Sequence, residues 1–273
     1  MIHFIDDAGS APWADLCEAY YSGNRSDVSF YLDQSSQAGG SVLELGCSTG
    51  RITELLADFG KSIYAVDPSE SQLNFARSKI GLLANSDRVT LVQSSLSDLD
   101  LDSSQKYGLA VVPCFAFMSL IDSDQQQQFL NIVRRQLSPG GRLVIDLAVP
   151  NLEVMLGDPS TMYHHMDLVT ENGDKIVVYT QGDYEEYSQV GYLKVAADFL
   201  GQSGLVTRRV VHDLEFRYTF RWEMYHLLRA CGFEILSLYG NFEEAPYIEA
   251  VSYTHLRAHE TEAALVCRLL LEK

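Results

Sequence analysis

The chain has 273 residues, of which 47% are apolar and 21% charged, so it can bury one full core and one principal domain is expected. Twenty basic against 37 acidic side chains give a formal charge of −17, which disfavours nucleic acids and anionic membranes as partners. No apolar run approaches the length of about 20 residues that a membrane-spanning helix needs, and the first ten residues lack a secretory signal pattern, so we expect a cytoplasmic protein.

From about residue 41 to 150, short apolar runs alternate with amphipathic stretches, a pattern typical of parallel strands joined by crossover helices. Each run is continuously apolar, which predicts strands covered by helices on both faces. The predicted strands are Ser41–Leu45, Ser62–Val66, Val89–Gln93, Leu109–Pro113 and Leu143–Leu147. The predicted helices are Arg51–Phe59, ending at Gly60, Ser69–Ile80, with a capping-box spacing from Ser69 to Gln72, and Asp122–Leu137, followed by a Pro139-Gly140-Gly141 turn.

After Pro150 the sequence changes to alternating polar and apolar stretches such as Lys175–Thr180 and Tyr192–Phe199. This alternation is typical of antiparallel strands with one solvent-exposed face, so we expect a β-rich insertion over roughly 152–218. A last amphipathic helix, Phe220–Cys231, and a strand, Phe233–Tyr239, are predicted to follow. The five cysteines, Cys17, Cys47, Cys114, Cys231 and Cys267, form no C-x-x-C pair, so we expect reduced, mostly buried thiols and no metal site.

A glycine loop, Val42–Arg51, runs directly from the first strand into the first helix, where an open parallel sheet binds nucleotide-like ligands. Gly46 and Gly50 allow backbone amides to approach a ligand, and Glu44 can accept a hydrogen bond from an ammonium group. Asp67 ends the second strand, where a carboxylate can accept from both hydroxyls of a ribose. A nucleoside ligand is therefore predicted. The dinucleotide fingerprint G-x-G-x-x-G has a different glycine spacing, and a purely structural turn remains the alternative.

These residues resemble the class I S-adenosylmethionine-dependent methyltransferases, in particular the small-molecule branch, whose first motif reads like VLELGCGTGR. Here the motif is VLELGCSTGR, and the resemblance extends over most of 15–250 through AVDPSESQLNFAR at 65–77, RVTLVQSSLSDL at 88–99 and LSPGGRLVIDLAVPN at 137–151. It implies a Rossmann-like, doubly wound, mostly parallel seven-stranded sheet. It also implies transfer of a methyl group from S-adenosylmethionine to N or O of a small metabolite.

The resemblance implies a cofactor site formed by Tyr20, Glu44, Gly46, Cys47, Ser48, Gly50, Asp67, Pro68, Ser95, Leu96 and Pro113. Glu44 and the two glycines would surround the methionine part, Asp67 would hold the ribose, and Pro113 would border the transferred methyl group. Ser48 replaces the middle glycine of the family motif, and Ser95 replaces an acid that receives the adenine. Because a hydroxyl is a weaker acceptor than a carboxylate, we expect somewhat looser cofactor binding.

Candidate side chains for the acceptor end of the reaction are fewer. Within Tyr163-His164-His165, either histidine could serve as the base for a hydroxyl acceptor, with His164 as the candidate to be tested. Surface or turn histidines are the alternative, and His212 is a weaker candidate. Tyr20 and Tyr21 would close an aromatic lid over the cofactor or simply pack on the sheet, and Tyr21 is a second catalytic candidate. Arg217 could hold a substrate carboxylate or form an ordinary ion pair.

Residues 251–273 resemble the translated read-through of a sequencing-library adapter, so we expect a native domain over 1–250 and a foreign tail. Within the tail, Ala263–Leu270 is apolar enough to imitate the seventh strand of the family; otherwise an exposed sheet edge would remain. Two other functions stay open: a cofactor-binding regulator or pseudoenzyme without turnover, and a polyamine-synthase-like transferase. A homodimer formed through the β-rich insertion is a further expectation.

Overall fold

The computed structural model describes residues 11–22, 26–148, 157–170, 173–247 and 266–272. In chain order the strands are β1 (Val42–Leu45), β2 (Ile63–Asp67), β3 (Val89–Gln93), β4 (Tyr107–Val112), β5 (Leu137–Ala148), β6 (Tyr163–Val169), β7 (Lys175–Glu185), β8 (Val190–Leu200), β9 (Val206–Arg217), β10 (Glu234–Tyr239) and β11 (Val266–Glu272). The helices are α1 (Ala11–Ser22), α2 (Ser26–Gln37), α3 (Arg51–Asp58), α4 (Glu70–Ile80), α5 (Ser123–Gln136) and α6 (Arg221–Ala230). Within these ranges, no helix has the length and apolar character that a bilayer crossing requires.

The main sheet has the strand order β10-β11-β5-β4-β1-β2-β3, and β1 to β5 pair with one another in parallel. β1 is the middle strand of these five, and all four of its residues are buried, as expected for a strand covered on both faces. The carboxyl ends of β1, β2 and β4 therefore meet at one edge of the sheet, where the glycine loop begins. The predicted parallel arrangement of the first five strands is confirmed.

The predicted helix boundaries follow from local chemistry. The Ser69 hydroxyl accepts a hydrogen bond from the backbone N–H of Gln72 at 3.4 Å, and Asp122 accepts from the N–H of Asp124 at 2.7 Å. Gly60 adopts a left-handed φ of 87° just after α3. These three positions limit α3, α4 and α5 to within one residue of the predicted ends.

β5 differs from the prediction because it begins at Leu137 instead of Leu143. The Pro139-Gly140-Gly141 segment does bend, with Gly140 at a φ of 72°, but the chain stays paired with β4 on both sides of the bend. A register shift between Tyr107 and Leu109 absorbs the extra residues, so the predicted turn becomes an irregularity within a longer strand.

The strands β6 to β9 form a separate antiparallel sheet in the order β6-β7-β8-β9, which confirms the β-rich stretch expected after the fifth strand. One face of this sheet packs against α1. Trp13, Leu16 and Cys17 of α1 are buried in a cluster with residues such as Val178 and Leu214 of the sheet. The first described helix is therefore positioned by strands that lie about 160 residues later in the chain.

The tail contributes backbone pairing to the main sheet. β11 is antiparallel to β5, with Val266 opposite Ala148, and antiparallel to β10, with Leu271 opposite Ile235. It thus covers the edge of β5. Residues 251–265 and 273 lie outside the described ranges, and the adapter origin of the tail and the domain limit at residue 250 stay predictions.

Candidate active site

The glycine loop bends sharply over the end of β2. Gly46, Ser48 and Gly50 have positive φ values of 98°, 52° and 78°. The backbone N–H groups of Gly46 and Cys47 donate to the Val66 carbonyl at 2.8 and 3.0 Å. A Cβ atom on Gly50 would lie 2.7 Å from the Ala76 Cβ, so this glycine is required by the close approach of α4 as well as by its φ.

Asp67 connects this loop to the second strand. Its carboxylate is fully buried and accepts from the backbone N–H of Ser48 at 2.7 Å and of Ser69 at 2.9 Å. Two backbone donors fix the orientation of the carboxylate, and a carboxylate oxygen has acceptor capacity for more than one donor. Asp67 is thus an anchor for the glycine loop, and its orientation is fixed at the carboxyl end of β2.

Glu44 lies at the end of β1 and is also fully buried. Its Oε2 accepts from the Thr53 hydroxyl at 2.7 Å, whereas its Oε1 has no hydrogen-bond partner among the described residues. Burial raises the pKa of Glu44 to about 8, although the Thr53 hydrogen bond and the nearby Arg51 charge act in the opposite direction. A buried carboxyl with a free oxygen is suited to a ligand ammonium group, which would supply the missing donor and the opposite charge.

The turn after β4 carries backbone strain. Cys114 and Phe115 have positive φ values of 56° and 61°, which non-glycine residues rarely adopt. The N–H of Cys114 donates to the Asp146 carboxylate on β5 at 3.3 Å, and the following residues form a short 3₁₀ turn, Ala116–Ser119. Strain of this kind persists where surrounding contacts fix it, and it is often found at functional sites.

α1 and α2 are tied to this edge of the main sheet by one arginine. Arg51, the last residue of the glycine loop, forms a two-point ion pair with Asp27 of α2, in which the Nη1–Oδ1 distance is 3.0 Å. Its guanidinium carbon lies 4.6 Å from the centre of the Tyr21 ring of α1. Burial lowers the pKa of Arg51, but the Asp27 hydrogen bond and the electrostatic effects of Cys114, Asp27 and Tyr21 together outweigh it, so the pKa is raised overall and Arg51 stays charged.

Two further ion pairs hold α1. Glu18 pairs with Lys79 of α4 at 2.6 Å, and Asp15 pairs with Arg208 of β9 at 3.3 Å. Burial strongly raises the pKa of the Cys17 thiol on the same helix, and the nearby Asp67 charge raises it further. α1 therefore covers the Asp67 side of the site, and we call it the lid.

A cavity of about 220 Å³, the acceptor pocket, lies between the lid, the turn after β4 and the antiparallel sheet. It is lined by Trp13, Leu16, Cys17, Tyr20, Phe115, His165, Val178, Thr180, Leu193, Val195 and Leu214. Phe115 connects it to the strained turn, whereas Val178 and Thr180 connect it to β7. The pocket is thus lined by elements that are distant in sequence.

Residues 42–141 match a family model described as a methyltransferase domain. The matched segment includes the glycine loop, Glu44, Asp67 and the strained turn. This segment is similar to methyltransferase domains.

Curated relatives extend this match beyond the domain. The chain is 28% identical over 167 residues to an N-demethylindolmycin N-methyltransferase from Streptomyces griseus, covering 58% of this chain and 68% of the relative. It is 25% identical over 235 residues to a cypemycin N-terminal methyltransferase from a Streptomyces species, covering 85% and 88%.

Solved structures agree with this assignment at the level of the fold. An S-adenosylmethionine-dependent methyltransferase from Clostridium acetobutylicum has a TM-score of 0.70 at 16% identity, covering 96% of this chain and 97% of that one. Together, the matches confirm the predicted methyltransferase function and the Rossmann-like fold.

The structure places the predicted cofactor residues at the glycine loop, at the end of β2, and in the segments after β3 and β4. The loop residues, Glu44 and Asp67 lie together at the carboxyl ends of β1 and β2, and Pro68 joins β3 through a hydrogen bond from Gln93 at 3.1 Å. Leu96 is buried in the main core. Ser95 donates to the Asp98 carboxylate at 2.7 Å, so its only hydroxyl proton is already used within the segment after β3. Pro113 is buried directly before the strained turn.

The structure separates the predicted candidates for the acceptor end of the methyltransferase. His164 is exposed and pairs with Asp167 at 2.8 Å, away from the acceptor pocket, whereas His165 lines that pocket. A register shift between His164 and Met166 in β6 precludes a simple alternation of faces at this point. Tyr20 lines the pocket and Tyr21 contacts Arg51, while His212 lies 4.7 Å from the Trp13 ring beneath the lid.

Arg217 has a different environment from the one predicted. Its guanidinium is buried and donates to Glu223 at 2.6 Å, to Gln126 at 3.1 Å and to Gln189 at 3.1 Å. These hydrogen bonds join β9 to α5 and α6, and the three partner residues do not line the acceptor pocket. The predicted contact with a substrate carboxylate is therefore replaced by an internal structural network.

Sequence reasoning does not identify Asp27 and Asp146, which contact Arg51 and Cys114. It offers both adjacent histidines as candidate bases, and of the two the structure places His165 in the lining of the pocket. An acid at the end of the fifth strand, as in VIDL, is the one available signal for Asp146. No local signal marks Asp27, since its partner lies 24 residues later.

Proposed function

We propose that the chain methylates a nitrogen of a small amine that enters the acceptor pocket. The observation that carries this proposal is the position of the pocket, which borders Phe115 of the strained turn and Cys17 and Tyr20 of the lid. The relatives named above act on an N-demethylindolmycin nitrogen and on a cypemycin N-terminus, which supports an amine over a hydroxyl acceptor.

The cofactor residues would hold the ligand at three points. Glu44 would bind the ammonium group, the backbone around Gly46 would approach the methionine part, and Asp67 would accept from the ribose hydroxyls. When bound, S-adenosylmethionine supplies the methyl group as an electrophile. The remaining work of the chain is alignment and exclusion of water, which the lid and the antiparallel sheet provide by enclosing the acceptor.

An amine acceptor must present a free electron pair to the methyl carbon. A neutral amine needs no strong base for this attack, and the proton of the resulting ammonium ion can leave afterwards. His165 of β6 and Tyr20 of the lid are two lining side chains with polar atoms. They would orient the amine, and His165 would accept the released proton.

Product formation tests the proposal. Purified protein is incubated with S-adenosylmethionine and a panel of primary amines, each matched by the corresponding alcohol, and S-adenosylhomocysteine and methylated product are quantified by mass spectrometry. We expect product from amines and little from alcohols. Cofactor binding by calorimetry without release of S-adenosylhomocysteine from any acceptor would favour the regulator or pseudoenzyme instead. A homodimer and a cytoplasmic location remain predictions.

A further inference from the structure

We infer that the acceptor is an amine with an uncharged, apolar body about the size of a fused two-ring system, bound between α1 and the antiparallel sheet. This inference rests on the proposed N-methylation and names the substrate class. It uses the composition and size of the acceptor pocket, which the family resemblance does not specify.

The lining of the pocket contains no Asp, Glu, Lys or Arg side chain. Five of its residues, Leu16, Val178, Leu193, Val195 and Leu214, are aliphatic, and Trp13 and Phe115 are aromatic. Burial strongly raises the pKa of the Cys17 thiol, so this side chain is uncharged as well. An acceptor whose body carries charges or several hydroxyl groups would therefore lose water without gaining partners, which is unfavourable for each unpaired group.

The volume of the pocket sets the size of the apolar body. An apolar cavity of roughly 150 Å³ accepts one benzene ring. The acceptor pocket has about 220 Å³, which leaves room for a second small ring or a short chain. An amino sugar of similar size would place several hydroxyl groups against aliphatic side chains.

Polar atoms are restricted to a few positions in the lining. His165, Tyr20 and Thr180 carry polar side-chain atoms in the lining, and Thr180 is paired across the sheet with Val195. Thr180 and Val195 have almost the same shape and size, but Thr180 carries a hydroxyl group where Val195 carries a methyl group. The pair provides a matched test of how apolar the bound ligand is.

The test compares two amines, tryptamine and D-glucosamine, with the wild type, Val195→Thr and Thr180→Val. Binding is measured calorimetrically in the presence of S-adenosylhomocysteine, and turnover is measured separately with S-adenosylmethionine. We expect tryptamine to bind at least about tenfold more tightly than glucosamine. Val195→Thr should weaken tryptamine binding about fivefold or more because it adds a buried hydroxyl, and Thr180→Val should preserve or improve it.

Cofactor affinity of each variant serves as the folding control, because neither position belongs to the glycine loop. If Val195→Thr fails to fold, Leu193→Asn, at a partly exposed position of the same wall, replaces it. Preference for glucosamine, or tryptamine binding unchanged in Val195→Thr, would overturn the inference while leaving N-methylation intact. Selective tryptamine binding without turnover of any amine would instead support the inferred ligand and contradict the proposed catalysis.

Discussion

The backbone N–H of Ser48 donates a buried hydrogen bond of 2.7 Å to the carboxylate of Asp67. This bond joins the turn after β1 to the end of β2, and the second oxygen of the same carboxylate accepts from the N–H of Ser69. A single side chain therefore fixes both the loop expected to surround the methionine part of the cofactor and the start of α4. Its effects on stability and on binding should be coupled.

Replacing Asp67 with Asn tests this coupling. The NH₂ group of the new side chain would face one of the two backbone N–H groups. Two donors would then point at each other where the wild type has a buried hydrogen bond. We expect a loss of about 1 to 3 kcal/mol in the free energy of unfolding and a loss of at least about tenfold in S-adenosylhomocysteine affinity. Urea unfolding and calorimetry measure the two effects. Asp58→Asn, at an exposed position on α3, is the control, and equal behaviour of both variants would refute the anchoring role.

Ser48 adopts a left-handed backbone conformation that favours glycine. Ser48→Gly should relieve this strain and raise the free energy of unfolding by up to about 1 kcal/mol, while the N–H that bonds to Asp67 is retained. Ser48→Ala keeps both the strain and the N–H, so it should not be stabilised. Thermal unfolding compares the variants, and the interpretation fails if alanine stabilises as much as glycine.

Glu44 should make the protein without cofactor less stable as pH rises. The ordinary pKa of 4.5 applies to the unfolded chain, whereas the folded carboxyl has a pKa of about 8. Between these values the unfolded chain loses the proton and the folded chain retains it, so stability is lost as pH rises from about 4.5 to 8. Glu44→Gln should remove this loss and be more stable at pH 8 by on the order of 3 kcal/mol. Urea titrations at pH 5 and pH 8 measure it; an identical pH dependence in both proteins would contradict the argument.

The same carboxyl gives cofactor binding a pH dependence of opposite direction. An ionised Glu44 attracts the ammonium group of the cofactor, so affinity should increase with pH up to about 8 and then level off. In Glu44→Gln this rise should disappear and affinity should fall about tenfold or more at pH 8. Calorimetry over this range measures both effects, and a rise that persists in the variant would assign the titration to another group.

The sequence predicts the main sheet well because its strands are continuously apolar and its helices end at residues with specific backbone chemistry, such as Gly60 and Ser69. Glu44, Asp67 and the glycine loop are predictable for the same reason, since they follow directly from strand ends. The position of the lid is not predictable from the sequence, because α1 is held by a hydrophobic cluster with the antiparallel sheet and by ion pairs with β9 and α4. Which histidine faces the acceptor pocket is also unpredictable, since it depends on the irregular pairing in β6.

Arg51 should control how firmly α1 and α2 are held over the site. Arg51→Lys keeps the charge but loses the two-point pairing with Asp27 and the planar contact with Tyr21. We expect a loss of about 1 to 2 kcal/mol in stability and faster hydrogen exchange in α1. Arg77→Lys, which alters an exposed ion pair with Glu70, is the matched control and should change little. Unchanged exchange in α1 would show that the lid does not depend on Arg51.

The two adjacent histidines of β6 give a direct test of proton transfer at the acceptor end. His165 lines the acceptor pocket, whereas His164 is exposed and paired with Asp167, so only His165 is placed to receive a proton from a methylated amine. His165→Gln should lower kcat about tenfold or more, because the proton of the methylated amine then loses its acceptor in the pocket. His164→Gln should lower kcat less than about threefold. Both variants should bind S-adenosylhomocysteine like the wild type. A larger loss in His164→Gln than in His165→Gln would restore His164, the base expected from the sequence, to the reaction.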